Sequence, residues 1–185
     1  MSNKLLLVVL IILMGIASTH VAALVRPVVS ANKIAQQQIT LITGDVAIFD
    51  ISQTQSIAHA RLNDPASTFI AYVKNAQTYL IPNHTQSLIE QGIVDVELFN
   101  LSKLISLKLD DRNSNHLPVL VKYSVPQQRL TAGIDSQFYP AINTQFIRLD
   151  KSKLTQTWLQ ISADPTIKSV TLDKQIPPSL MVTGH

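Results

Sequence analysis

Alternating apolar and polar positions predict two β-hairpins in the first third of this chain. Residues 39–51 alternate on either side of a Gly44-Asp45 pair, which supplies the residue types of a tight turn. Residues 69–73 and 78–81 repeat the pattern around a polar connection. We therefore expect a small antiparallel sheet in this part of the chain.

Short helices and polar loops are predicted around and after these hairpins. The segments 52–67 and 110–116 are polar and without a clear period, which predicts loops. Asn83 is a residue type that caps a helix, and Gly92 is placed to end that helix in a left-handed conformation. A second short helix is predicted to begin at Asn100.

The remaining chain reads as strand, strand, helix and strand. Alternation predicts strands over 117–123, 144–149 and 169–172. Between the last two, Asp150 or Ser152 is expected to cap a helix. That helix carries one apolar stripe at i, i+4 and i+7, which we expect in the core: Leu154, Trp158 and Ile161.

Residues 1–23 have the parts of a secretory signal peptide. Lys4 gives the positive start, 5–17 is a mostly apolar run, and small residues lead up to a cleavage position after Ala23. The alternative is an uncleaved anchor, but this run is short against the roughly 20 residues that span a bilayer. We expect export to the periplasm or beyond, with no stable membrane span after cleavage.

Composition removes several classes of function. The chain has no cysteine, which excludes disulfides, thiolate-zinc sites and cysteine nucleophiles. Its 15 Lys and Arg and 12 Asp and Glu are scattered, so no nucleic acid partner is expected. Asp111–Asn115 resembles the start of a calcium loop, but His116 and Lys122 replace the required glycine and glutamate. Neither a metal nor a cofactor is predicted.

A series of short motifs also occurs in a characteristic order. It runs through Ile39-Thr-Leu-Ile-Thr-Gly-Asp45, Tyr79-Leu-Ile-Pro82, Ser87-Leu-Ile-Glu-Gln-Gly92, Val96-Glu-Leu-Phe-Asn-Leu101, Asp110-Asp-Arg112 and Leu117-Pro-Val-Leu-Val-Lys-Tyr123. This order resembles the N-terminal prosegment of secreted subtilisin-like (S8 family) serine peptidases, over roughly 39–180. The aspartate, histidine and serine motifs of the subtilase catalytic domain are absent. We therefore predict no enzyme and no catalytic residues.

Pattern and resemblance together predict an α+β fold. A flexible lead-in over 24–38 precedes a β-rich subdomain with short helices over 39–116. A ferredoxin-like, prodomain-type β…βαβ subdomain is expected over 117–180, followed by a short tail at 181–185. The first helix of such a prodomain is not evident, because 125–139 lacks a clean 3.6-residue period.

The end of the second subdomain carries the candidate binding residues. In subtilases the prodomain's sheet packs on the protease, and its extended C-terminus lies in the substrate cleft. The resemblance implies the same role here for Ile176, Pro177, Pro178, Ser179 and Leu180. The two prolines favour an extended segment with a low ordering cost. The alternative is that these residues simply leave the last strand.

Three functions are compatible with the sequence. The first is an exported, noncatalytic inhibitor or folding helper whose partner is a subtilisin-like serine protease. The second is an envelope structural or interaction protein that keeps the fold without a protease partner. The third is a truncated remnant of a subtilisin-like protease precursor.

Overall fold

The structure is a computed structural model of the 185-residue chain. It describes residues 35–52, 56–125, 129–131 and 133–174. The predicted signal segment, its cleavage position at Ala23 and the candidate tail residues Ile176–Leu180 lie outside the described residues. Within the described ranges, no helix has the length and apolar character needed to cross a membrane.

The first sheet has three antiparallel strands in the order β1-β2-β3. Strands β1 (Ala35–Thr40) and β2 (Val46–Ile51) form the predicted hairpin. Strand β1 begins inside the segment 24–38 that was expected to be a flexible lead-in. The loop predicted over 52–67 is wrong in part, because β3 (Ile57–Leu62) pairs with β2 there. Only Leu62 of this strand is buried, so burial does not impose an alternating pattern on its sequence.

The second predicted hairpin is confirmed. Strands β4 (Phe69–Lys74) and β5 (Gln77–Pro82) pair in antiparallel register without interruption. Asn75 and Ala76 form the connection with φ values of 50° and 60°. Two consecutive positive φ angles are typical of the type I′ turn that closes a two-residue hairpin.

Four short helical segments follow the hairpin. Their bounds are Asn83–Thr85 (3-10), α1 Gln86–Glu90, Val96–Phe99 (3-10) and α2 Leu101–Ser106. The prediction that Asn83 caps a helix is wrong, since Asn83 lies inside the first 3-10 turn. Gly92 has the expected left-handed conformation, with φ 72°. The Asn100 side chain caps α2 as predicted, accepting a hydrogen bond from Lys103 N at 3.0 Å.

The last sheet has four strands and contains a split β-α-β unit, in which a third strand lies between the two parallel strands of the unit. Its elements are β6 (His116–Tyr123), β7 (Gly133–Tyr139), β8 (Thr144–Asp150), α3 (Leu154–Ala163) and β9 (Ile167–Leu172), with 3-10 turns at Pro140–Ile142 and Lys151–Lys153. The order β7-β8-β6-β9 is antiparallel throughout. Strands β8 and β9 are therefore parallel with β6 between them, as in a ferredoxin-like sheet. The predicted α+β class is confirmed.

Buried polar groups form a hydrogen-bond network in the connection from β6 to β7. The described residues of this connection contain no helix. Leu130 N donates to Tyr123 Oη at 3.0 Å, and Gln145 Nε2 returns a bond to Leu130 O at 2.9 Å. Tyr123 Oη donates to Gln145 Oε1 at 2.7 Å, and Gln145 Nε2 also reaches Ser136 Oγ at 2.7 Å. Burial raises the pKa of Tyr123. The network fixes the backbone of Leu130, whose side chain is buried in the hydrophobic cluster.

One hydrophobic cluster joins the elements before and after residue 117. The predicted stripe of α3 is confirmed as buried, and it packs in the same cluster as the first two hairpins and the odd-numbered positions of β6. The β1–β2 turn approaches α3 so closely that a Cβ at Gly44 would lie 2.7 Å from Thr155 N. The described parts of the chain on both sides of residue 117 thus share a single core.

Candidate partner-binding surface

Strand alternation gives the last sheet one covered face and one open face. On the covered face, alternate residues of β6 are buried in the cluster that contains α3. The register places Leu120 beside Phe146, and Phe146 beside Gln137. The "open sheet face" is defined here by six residues: Leu120, Lys122, Gln137, Tyr139, Phe146 and Arg148.

The open sheet face is apolar in its middle and polar around it. Leu120 and Phe146 are half-buried neighbours, while Lys122 is exposed and Tyr139 keeps 41 % of its surface exposed. Arg148 Nη2 donates to Asp135 Oδ2 at 2.9 Å on the same face. An apolar centre with a polar rim is the usual composition of a protein-binding surface.

Strand β9 lies at one edge of this sheet and leads toward the tail. Its outer side is paired in the middle, since Val170 N donates to Ile93 O at 2.7 Å and Val170 O accepts from Asp95 N at 3.0 Å. Beyond the strand, Asp173 N donates to Pro118 O at 3.1 Å, so the chain stays attached to β6. Burial raises the pKa of Asp173. The described chain ends one residue later, directly before the segment that contains Ile176–Leu180.

Two groups of the described residues bring a hydroxyl near a histidine, one directly and one through a carboxylate. Ser114 Oγ lies 3.3 Å from His116 Nδ1, but it donates its hydrogen to His116 O at 2.8 Å. Burial lowers the pKa of His116, and the charges of Arg148 and Lys151 lower it further. A base flanked by two cations and facing a hydroxyl that is already engaged is poorly suited to activating a nucleophile.

The second arrangement surrounds Asp45. Thr43 Oγ1 donates to Asp45 Oδ2 at 2.6 Å, and His84 Nε2 lies 3.6 Å from the same oxygen. The carboxylate therefore stands between the hydroxyl and the imidazole, whereas a catalytic triad needs the imidazole in the middle. His84 also contacts the edge of Trp158, with ring centroids 6.2 Å apart. The group stabilises the β1–β2 turn against α3.

A cleft of about 610 Å³ lies beside the C-terminal end of α3. Arg129, Leu130, Gln160 and Asp164 are among its lining residues. The Arg129 guanidinium lies 4.0 Å from the centroid of the Phe138 ring, so a cation–π contact already holds it. Among the residues that the structure describes, no group of three histidine, aspartate or glutamate side chains could hold a metal.

No protein-family model, no curated protein and no solved structure matches this chain. The tail predicted from the sequence lies outside the described residues, and no residue of the open sheet face was predicted as a candidate binding residue. A signal for this face was present in β8, where Phe146 and Arg148 alternate with the buried Gln145, Ile147 and Leu149.

Proposed function

We propose that this chain is an exported, noncatalytic domain that binds a subtilisin-like serine protease and acts as its inhibitor or folding helper. The open sheet face would dock on the surface of the enzyme. The tail residues Ile176–Leu180 would then lie in the substrate cleft as an extended strand.

The observation that carries the proposal is the split βαβ sheet with one open face and a terminal strand that leads to the tail. The bond from Asp173 N to Pro118 O keeps the chain attached to the sheet until just before the tail. A tail that starts from a fixed point loses less conformational freedom on binding than a free peptide. The sheet and the tail can therefore act as two linked contacts with one partner.

The tail has the chemistry expected of an extended ligand. Pro177 and Pro178 each fix φ near −65°, which restricts the unbound segment. Main-chain hydrogen bonds to the edge of the cleft would supply affinity, and Leu180 would fill the pocket before the scissile position. Such a segment blocks substrate without contributing any catalytic group.

Inhibition and folding assistance follow from the same affinity. A ligand that binds the native protease and not the unfolded chain stabilises the native state by mass action. If it also binds a surface that is already formed in the folding transition state, it lowers the folding barrier of the protease. The tail would determine inhibition, and the open sheet face would serve both activities.

The first test measures inhibition of a purified bacterial subtilisin by the full chain and by a chain that ends at Lys174. We expect the truncated chain to lose about 3 kcal/mol of binding, roughly a 100-fold weaker inhibition constant. Leu180→Asp should weaken inhibition similarly, whereas the matched Thr183→Asp should not. Equal inhibition by the full and truncated chains would refute insertion of the tail.

The second test addresses the open sheet face. Tyr139→Glu introduces a charge on this face, and Leu159→Glu introduces the same charge on α3, where Leu159 is 64 % exposed. We expect only the Tyr139 variant to weaken inhibition and to slow assisted refolding of the denatured protease. Absence of both activities in the unmodified chain would rule out the proposed function.

A further inference from the structure

Strand β4 is an apolar edge strand that pairs with β5 alone among the described residues. Three of its apolar side chains are exposed: Ile70 to 40 %, Tyr72 to 37 % and Val73 to 69 %. Tyr72 stacks on Tyr79 of β5, with ring centroids 4.9 Å apart, which is a cross-strand contact within the hairpin. An exposed apolar edge of this kind is a site for pairing with another strand.

The hairpin geometry defines which backbone groups of β4 face outward. Lys74 and Gln77 flank the two-residue turn and so exchange hydrogen bonds with each other. Every second residue counted back from Lys74 therefore bonds to β5. Pro82, which has no N–H to donate, accordingly lies in a pair that does not exchange hydrogen bonds. The outward N–H and C=O groups belong to Phe69, Ala71 and Val73.

The other strand edges in the described chain are covered or distorted. The outer edge of β1 is covered by Asp111 and Arg112, which donate to carbonyls of β1. The edge of β5 contacts Ser102, and the edge of β9 contacts 93–95. Strands β3 and β7 contain register irregularities. Strand β4 has neither a bulge nor a proline, and its one charged residue stands at its end.

We propose that β4 pairs in antiparallel register with β4 of a second copy of this chain, about a two-fold axis at Ala71. Outward groups must face outward groups, so Ala71 stands opposite its counterpart and Phe69 stands opposite Val73 of the other copy. Between these pairs, Ile70 faces Tyr72 of the other copy. Aromatic and β-branched residues in facing positions are favourable cross-strand pairs.

Charge favours a second copy as the occupant and an antiparallel direction. The antiparallel arrangement separates the two Lys74 residues by about 20 Å, because their positions are offset by six residues along the strands. Each Lys74 then lies near the first residue of β4 in the other copy, the end of that strand that comes after Asp64 in sequence. Asp64 is an exposed carboxylate that accepts hydrogen bonds from Ala66 N at 2.9 Å and from Ser67 Oγ at 3.0 Å. A parallel pair would place the two ammonium groups side by side. The edge is thus complementary to itself.

The association should be weak and dependent on concentration. A single pair of six-residue strands buries much less than the roughly 1,200 Å² typical of stable interfaces. Sedimentation of the full chain over a range of concentrations should show a reversible monomer–dimer equilibrium. In Ala71→Pro, an outward N–H is lost while the bonds to β5 remain. We expect this variant to stay monomeric where the unmodified chain is half dimeric.

Crosslinking tests the register directly, because the chain contains no cysteine of its own. Ala71→Cys places two thiols across the two-fold axis, with Cα atoms about 5.5 Å apart, within the range of a disulfide. Lys74→Cys on the same strand is the matched control, since its two copies lie too far apart. With diamide as oxidant, we expect a covalent dimer from Ala71→Cys at least tenfold faster than from Lys74→Cys.

Three results would overturn the proposal. Equal crosslinking at both positions would contradict the antiparallel register. A dimer that survives Ala71→Pro would belong to another surface. A chain that remains monomeric and crosslinks at neither position would exclude self-pairing and leave the edge available for a strand of a different protein.

Discussion

Lys151 and Asp111 form a largely buried ion pair that joins the start of α3 to the loop after α2. Lys151 Nζ lies 2.6 Å from Asp111 Oδ1 and donates to Leu109 O at the same distance of 2.6 Å. The Asp111 carboxylate also accepts from Thr40 N at 2.9 Å and from Thr40 Oγ1 at 2.8 Å. One carboxylate thus ties β1 and this loop to the turn before α3.

Replacing Lys151 with methionine should destabilise the fold. The side chain of Lys151 is 7 % exposed, so the substitution leaves Asp111 and Leu109 O without their buried donor. We expect the free energy of unfolding to fall by about 3 kcal/mol, measured by urea denaturation. The control Lys153→Met removes a 60 % exposed ammonium 3.9 Å from Asp150 and should change stability by less than about 0.5 kcal/mol. Equal effects of the two substitutions would contradict a structural role for the buried pair.

Alanine substitutions at two glycines should separate steric conflict from backbone strain. Gly44 and Gly92 both have positive φ, 87° and 72°, so a side chain strains either position. A Cβ at Gly44 would also meet the backbone of Thr155, whereas a Cβ at Gly92 has nothing within 4 Å. Gly92→Ala should cost about 1 kcal/mol and Gly44→Ala clearly more, by thermal or urea unfolding. A larger loss at Gly92 would mean that the turn and α3 are not in contact.

Tyr79 should make the fold sensitive to alkaline pH. Burial is the main cause that raises the pKa of Tyr79 to about 12, and the hydrogen bond to Glu97, 2.9 Å long, adds to it. A tyrosine in the unfolded chain has a pKa near 10. The stabilisation is therefore complete below about pH 10 and is lost as the pH rises through about 12.

Urea unfolding at several alkaline pH values checks this expectation. Tyr79→Phe should show a smaller loss of stability across that window than the unmodified chain. Some loss should persist, because burial raises the pKa of Tyr123 as well. An identical pH profile for Tyr79→Phe would contradict the assignment.

Trp158 should contribute to stability through packing. Its side chain is 6 % exposed on the buried stripe of α3. Trp158→Ala should lower the free energy of unfolding by roughly 3–5 kcal/mol because it opens a cavity. Leu159, which follows it and is 64 % exposed, is the matched position. Leu159→Ala should have little effect, and a comparable loss there would show that the helix is oriented differently.

Elements whose residues repeat with the period of their own structure could be predicted from the sequence. The spacing of nearby residues predicted both the apolar stripe of α3 and the hairpin of β4 and β5. The turn at Asn75 and Ala76 lies between two segments predicted as strands. Residue type alone does not determine a helix cap. Asn83 and Asn100 are the same residue type, but the 3-10 turn after Pro82 moved the start of the first helix away from Asn83.

Edge strands could not be predicted in the same way. Most residues of β3 and β7 are not buried, so no alternation marks them. The order β7-β8-β6-β9 depends on pairings between residues far apart in sequence. The free edge of β4 in the described chain could not be predicted either. Apolar residues predict a strand, but they do not show which side of that strand lacks a neighbour. The candidate tail came from a resemblance and remains a prediction.

The position of β6 has a consequence for how the protein is made. This apolar strand is flanked by β8 and β9, and both are translated after it. A ribosome adds about 5–20 residues per second, so the roughly 50 residues from the end of β6 to the end of β9 take about 3–10 seconds. Throughout that interval the nascent chain carries a central strand whose neighbours are not yet complete. Until both neighbours are in place, this apolar strand can pair or aggregate with other chains.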